Sequence, residues 1–230
     1  MITLALDAST YVGTVAVLDG RIVVAAREAA MRGREAERLM PALVDALTAA
    51  GVEVRDIARV VCGDGPGSFT SLRIAASIAK GIATGVGAEL KRVSSLALVA
   101  AGGELPAGRY LAALDALRGE AYFQRVRVHP GGEVALESGF YLGPLAAVAA
   151  ASRESAAGVI APRETLDLIV AAAGGSLDGA VPMAPHARGV ARLEGALEAA
   201  DLASWEPRYG RLAEAQVKWE AEHGRPLPDA

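Results

Sequence analysis

Two stretches of this 230-residue chain begin in the same way. Residues 4–29 read LALDASTYVGTVAVLDGRIVVAAREA, and residues 111–142 read LAALDALRGEAYFQRVRVHPGGEVALESGFYL. Each passes from an apolar strand into Leu-Asp-Ala, through a polar turn, and into two more strands joined by a glycine turn. Asp7 and Asp115 hold matching positions. Asp19-Gly20 between β-rich runs signals a hairpin, because such turns need positive φ. Behind the first meander, Ala36, Leu39, Met40, Leu43, Val44 and Leu47 recur at the spacing of one helix face, and Gly51 stands where that helix should stop. Pro41 lies within it. An interior proline costs about 3 kcal/mol, so a bend there, or a helix in two pieces, is expected. A buried strand at 58–62, a helix over 70–84, a strand near residue 90 and a helix from Ser95 complete the unit.

The second stretch continues in the same order. A helix is expected from Pro144, a strand at 157–161, a helix over 163–173, a short strand at 179–183 and a helix over 187–200. The repeated βββαβα order predicts a duplicated α/β fold of two lobes. The expected units are residues 1–103, 104–204 and a helical tail, 205–230, that packs back on the body. The glycine-rich stretch 101–108 marks the first boundary.

Composition narrows the function classes. The chain carries 52% hydrophobic and 22% charged residues, a globular balance, and its net charge is −4. Its only lysines are Lys80, Lys91 and Lys218. An acidic chain without a basic block is a poor candidate to grip nucleic acid alone, since phosphate neutralisation dominates that affinity. The single cysteine, Cys62, allows no internal disulfide and reads as a small buried hydrophobe. The opening MITLALDAST has no basic segment and no membrane-length apolar run, so a cytoplasmic protein is expected.

The glycine-rich loop at 63–67 precedes a helix, as a phosphate-binding loop would. A Walker loop needs Gly-Lys-Ser/Thr after four residues. Counted from Gly63, those positions hold Ser68 and Phe69; counted from Gly65, Thr70 and Ser71. The dinucleotide fingerprint fails at Ser68. Gly65, Pro66, Gly67 and Ser68 therefore read as a tight structural turn, with Ser68 or Thr70 capping the helix. A duplicated βββαβα chain with a carboxylate ending its first strand follows the plan of the actin-like and sugar-kinase ATPases. Their Asp-x-Gly is here Asp7-Ala8-Ser9, so Asp7, Ser9 and Thr10 read as an eroded phosphate site. The three histidines, His129, His186 and His223, lack the spacing of a helix-borne metal site, and no metal site or catalytic residue is assigned. The helix over 70–84 is apolar or small almost all round and needs cover on every face.

The stretch GDGPGSFTSLRIAASIAKGIA (63–83) resembles the Gly-Pro-Gly-Ser-Phe-Thr-Gly-Leu-Arg motif of the TsaB (YeaZ-type) family. Ser71 replaces its usual glycine. LALDAST, REAERLMPALVDAL, VSSLALVA, LDALRGEAYFQRV and PRYGRLAEAQVKWE agree in order along nearly the whole chain, although REAERLMP lacks the His-Ser often found before Glu-Arg. The resemblance implies an actin-like (ASKHA) fold. It implies a part in forming threonylcarbamoyl-adenosine at position 37 of tRNAs that read codons beginning with A. The implied part is a non-catalytic subunit beside the homologous catalytic TsaD, with the TsaE ATPase docked on the pair. Homodimers when the partner is missing, and tRNA contact only through the complex, are further implications. TsaD carries His-x-x-x-His in the segment that corresponds to VSSLALV; here those positions are Ser95 and Val99. No cofactor is implied for this chain alone, while a nucleotide at the interface with TsaD is admitted. The family interface uses the first two helices. The expected contact residues are Leu39, Met40, Leu43 and Leu47 on one, and Leu72, Ile74, Ala75, Ile78 and Ile82 on the other. The alternative is an active actin-like ATPase or small-molecule kinase, with Asp7 and Asp115 organising magnesium and phosphate.

Overall fold

The computed structural model describes residues 1–31, 38–211 and His223. Strands β1 (Ile2–Asp7), β2 (Val12–Asp19) and β3 (Ile22–Ala30) form an antiparallel meander. Helix α1 (Leu39–Ala50), β4 (Ile57–Gly63), α2 (Phe69–Val86), β5 (Glu89–Val93) and α3 (Ser95–Ala101) follow. The second half brings β6 (Gly108–Asp115), β7 (Glu120–Val128), β8 (Val134–Pro144), α4 (Leu145–Ser155), β9 (Gly158–Ala161), α5 (Arg163–Ala172) and β10 (Val181–Pro182). The sheets have the orders β5-β4-β1-β2-β3 and β10-β9-β6-β7-β8. Corresponding neighbours also agree in direction, parallel across β5-β4-β1 and β10-β9-β6, antiparallel elsewhere. This is the duplicated βββαβα plan of the actin-like fold.

The core has three parts, which follow from which way each strand residue points. Leu4, Leu6, Val15, Val17, Val60 and Cys62 face α1 and α2. Ala5, Ala16, Leu18 and Val61, at alternate positions, face the middle of the molecule. There α3 lies between the two sheets with all seven residues buried, against Ala112 and Leu114 of β6 and Val126 of β7. Leu111, Ala113 and Val159 face α4 and α5 on the far side. The layers therefore run helix, sheet, helix, sheet, helix. Small residues on the inner faces of the sheets leave room for a whole helix between them. Each fully buried leucine contributes about 1.5–3 kcal/mol through lost apolar exposure.

Three expectations are corrected here. Residues 187–200 are not a helix. They form two 3-10 turns, Ala187–Arg192 and Glu194–Ala196, and then β11 (Glu198–Ala199), which pairs with β5. Their apolar residues are needed in the middle layer, where Ala187, Val190 and Leu193 are buried, and Thr14 Oγ1 accepts from the Ala187 N–H. Pro41 causes no interior bend. It is the third residue of α1, where no intrahelical donor is needed, and the first such bond comes from Ala42 N–H to Arg38 O. Ser68 precedes α2, but its hydroxyl meets Ser71 Oγ at 3.0 Å and caps no helix amide among the described residues. The expected start of the first helix at 34–37 and the expected tail helix at 212–222 lie outside the described residues.

Candidate functional site

Asp7 ends β1 and is fully buried. Its Oδ2 accepts from Ser9 N–H at 3.1 Å and from the Ser9 hydroxyl at 2.8 Å. Its Oδ1 accepts from the Ser95 hydroxyl at 2.5 Å, and Ser95 Oγ in turn accepts from Gly65 N–H at 3.1 Å. Burial pushes the Asp7 carboxyl above its ordinary range, against the pull of the Ser95 and Ser9 hydrogen bonds. Gly63 packs directly on it; a Cβ there would stand 1.9 Å from Oδ1. A Cβ on Gly67 would stand 2.2 Å from Ser9 O, and Ser68 N–H donates to that same oxygen at 2.8 Å. The motif loop and the β1–β2 turn thus satisfy each other's polar groups. Of the three residues expected at a phosphate, Asp7 and Ser9 are joined to each other. Thr10 Oγ1 is taken up within its own turn by Val12 N–H and Val12 O. The second expected carboxylate, Asp115, accepts from Leu117 N–H at 2.8 Å in an Asx turn. Val99, on α3, is fully buried among apolar neighbours.

The outer face of α1 and α2 is the second feature. The first sheet takes one side of each helix, so Leu39, Leu43, Leu47, Leu72 and Ala75 all lie in the chain's own core. Five of the nine expected contact residues are therefore not available to a partner. Helical periodicity identified the apolar positions but not the direction in which each one faces. Met40, Ile74, Ile78 and Ile82 remain, with Met40 43% exposed and the isoleucines half-buried against the core edge. Val44, one turn on from Met40, is 52% exposed. Met40, Ile74 and Ile78 line a shallow groove of about 590 Å³ with Phe69, Thr70, Arg73 and Ser77. Arg73 lies over the Phe69 ring at 5.3 Å.

The third feature is a cleft of about 1340 Å³ between the halves. Its walls come from the β1–β2 turn (Ser9, Tyr11), the start of α2 (Phe69, Thr70), the β6–β7 turn (Leu117, Arg118) and the start of α5 (Arg163). Leu117, Arg118 and Gly119 hold φ values of 62°, 57° and 79° in succession. Such values are costly for the first two residues.

Residues 29–135 match the family described as "TsaD: tRNA N6-adenosine threonylcarbamoyltransferase". The "tRNA threonylcarbamoyladenosine biosynthesis protein TsaB" of Escherichia coli (strain K12) is 38% identical over 122 residues, 52% of this chain and 52% of that protein. Its namesake from Bacillus subtilis (strain 168) is 33% identical over 122 residues, 53% of each. The matched segment spans about half the length of these curated relatives. The solved structure "YeaZ from Pseudomonas aeruginosa" covers 90% of this chain and 99% of its own length, with a TM-score of 0.75 and 27% identity. The chain is thus similar to TsaB (YeaZ-type) proteins in sequence over about half its length and in fold over 90% of it. In this chain the glycine-rich stretch 63–67 is what seals Asp7 and then opens α2 onto the outer groove.

Two groups of residues escaped the sequence reading. Ser95 was noted only as the counterpart of a metal-binding histidine, yet its hydroxyl joins Asp7 to the motif loop. Residues 205–211 open the tail that is expected to pack back on the body, with its helix expected only at 212–222, and the sequence reading names no partner for them. There Arg208 grips the fully buried Asp64 through Nε and Nη2, at 2.9 and 3.2 Å. Burial pushes the Asp64 carboxyl up, and Arg208 and Arg92 pull it back. No local pattern announces a pairing between residues 144 positions apart. The only clue was the charge of Asp64 inside an otherwise apolar and glycine-rich stretch.

Proposed function

We propose that this chain is a non-catalytic subunit of the cytoplasmic machinery that forms threonylcarbamoyl-adenosine on tRNA. It docks its outer α1–α2 groove on a homologous TsaD-type catalytic chain, and a TsaE-type ATPase joins the pair. Contact with tRNA is made through the complex, and the same groove supports homodimers when the partner is missing. The observation that carries this reading is the contrast between the two faces of the family motif. On the inner face, Asp7 is enclosed by Gly63, Ser9 and Ser95, with its lone pairs already engaged. On the outer face, the same motif opens a shallow groove lined by the half-buried Ile74 and Ile78. The names of the curated relatives support the pathway. The match to a transferase family supports a homologous partner, since two related chains can pair by equivalent faces about an approximate two-fold axis. Two helices from each would make a four-helix contact. A nucleotide at that shared contact belongs to the same proposal, as does a division of the chain near residue 103 and again near 204.

The test is reconstitution of tRNA modification from purified components. Omitting this chain should abolish product. Ile78→Arg adds a charge at the centre of the groove and should abolish co-elution with the catalytic chain while leaving the melting temperature within a few degrees. Normal co-elution of that variant would move the interface elsewhere. ATP turnover by the isolated chain that disappears in Asp7→Asn would favour the ATPase reading, for which the cleft offers space.

A further inference from the structure

Residues 205–211 have neither helix nor strand structure, yet they are tied to both halves of the molecule. Trp205 is buried in the core beneath α1 and α2, with Lys80 over its ring at 5.8 Å. Arg208 N–H donates to Asp64 O at 2.6 Å, while its guanidinium holds both oxygens of the Asp64 carboxylate. Arg92, at 3.5 Å, is the other cation beside that carboxylate. The Tyr209 ring lies 4.4 Å from Phe69, the first residue of α2. The remaining links go to the second half. Tyr209 O accepts from the Tyr122 hydroxyl at 3.2 Å, and Arg211 pairs with Glu120. Close approach is built in at both ends. A Cβ on Gly65 would stand 2.4 Å from Arg208 O, and one on Gly210 2.4 Å from the Tyr122 ring.

The first turn of α2 lies against this arrangement. Ser68 supplies no side-chain cap to it among the described residues. A helix start without a cap leaves amide donors unsatisfied and frays unless tertiary contacts hold it. Here the Phe69–Tyr209 pair is one such contact, beside the buried Ser71 and Leu72. Phe69 and Thr70 line both the outer groove and the inner cleft. The strap thus stands behind the wall on which the groove is formed.

We propose that residues 205–211 are a latch that fixes the first turn of α2 and the angle between the halves. Tyr209 and Arg208 act as positioning residues for the docking groove. The link to docking rests on the proposed function above; the latch itself does not. Tyr209→Ala removes the ring from Phe69, and Glu120→Gln loosens only the anchor in the second half.

Hydrogen exchange of amides 69–73, affinity for the TsaD-type chain, and a spin-label distance between Thr84 on α2 and Asp167 on α5 are the readouts. In Tyr209→Ala, exchange at 69–73 should rise about tenfold while 79–83 stays unchanged, the scale of one lost aromatic pair. Affinity for the catalytic chain should fall by about the same factor. Glu120→Gln should leave 69–73 protected and broaden the distance distribution. Unchanged exchange at 69–73 in Tyr209→Ala would overturn the latch, whatever the partner does. Faster exchange with unchanged affinity would overturn the docking reading and leave the latch standing. Should Tyr209→Ala fail to fold, Tyr209→Leu fills the space without an aromatic face and carries the same readouts.

Discussion

At the scale of single residues, the decisive group is Ser95. One hydroxyl donates to the Asp7 carboxylate and accepts from Gly65 N–H, so it closes the inner pocket and anchors the motif loop. Alanine lacks only the hydroxyl and adds no bulk at this fully buried position. Ser95→Ala leaves a buried carboxylate and a buried amide each one partner short. The expected loss is about 2–4 kcal/mol, read as a lower urea midpoint with an unchanged slope. A variant as stable as the parent would show that Asp7 is satisfied without it. Asp7 itself could be picked out in the sequence as a carboxylate ending an apolar strand. Its enclosure could not, because the groups around it come from Gly63 and Ser95, remote in the chain.

At the scale of elements, α1 and α2 divide their apolar residues between two tasks. Leu43 is 1% exposed and packs on the first sheet, whereas Val44, its neighbour in sequence, is 52% exposed. The two should therefore fail differently. Leu43→Ala opens a cavity and should cost about 2–5 kcal/mol in denaturant unfolding. Val44→Asp should leave unfolding within about 0.5 kcal/mol of the parent and weaken the pairing with the catalytic chain. Equal loss of stability in both would mean that the outer face is covered within the chain. The elements themselves were legible from periodicity and glycine punctuation, to within a residue or two at α2, α5 and most strands. The stretch 187–200 differs because its alanines, leucines and valines suit a helix locally, while the middle layer buries Ala187, Val190 and Leu193 from two short 3-10 turns. Tertiary packing overrode propensity there.

At the scale of the whole molecule, the halves are joined by the middle layer and by the return of the chain to the first sheet. His186 starts that return. Its Nδ1 accepts from Arg188 N–H, its Nε2 lies 3.7 Å from Glu28, and burial together with Arg188 pulls its pKa down while Glu28 opposes. The folded state therefore binds this proton less tightly than the unfolded chain does. The stability contributed by the neutral ring is present above the ordinary histidine pKa of about 6.5 and is lost as pH falls through and below it. Asp7 and Asp64, both raised, act in the opposite sense and are favoured by acidification. The readout is thus a difference. His186→Asn keeps an acceptor for Arg188 N–H, so the stability of the parent minus that of the variant should shrink between about pH 7.5 and 5.5. A difference that is flat, or that grows on acidification, would remove His186 from the pH response.

The sequence by itself determined the repeated βββαβα order, the resemblance to TsaB (YeaZ-type) proteins, and the identity of the motif loop. These depend on local signals: alternation along strands, helical spacing, glycine at turns, and a run of residues recognisable as a string. Only the tertiary structure decided which side of each helix is buried, that Ser95 and Gly63 close over Asp7, and that residues 205–211 bind both halves. Those features depend on contacts between distant parts of the chain. A linear pattern can show that a residue must be buried or paired, but the partner is selected only when the sheets and helices pack.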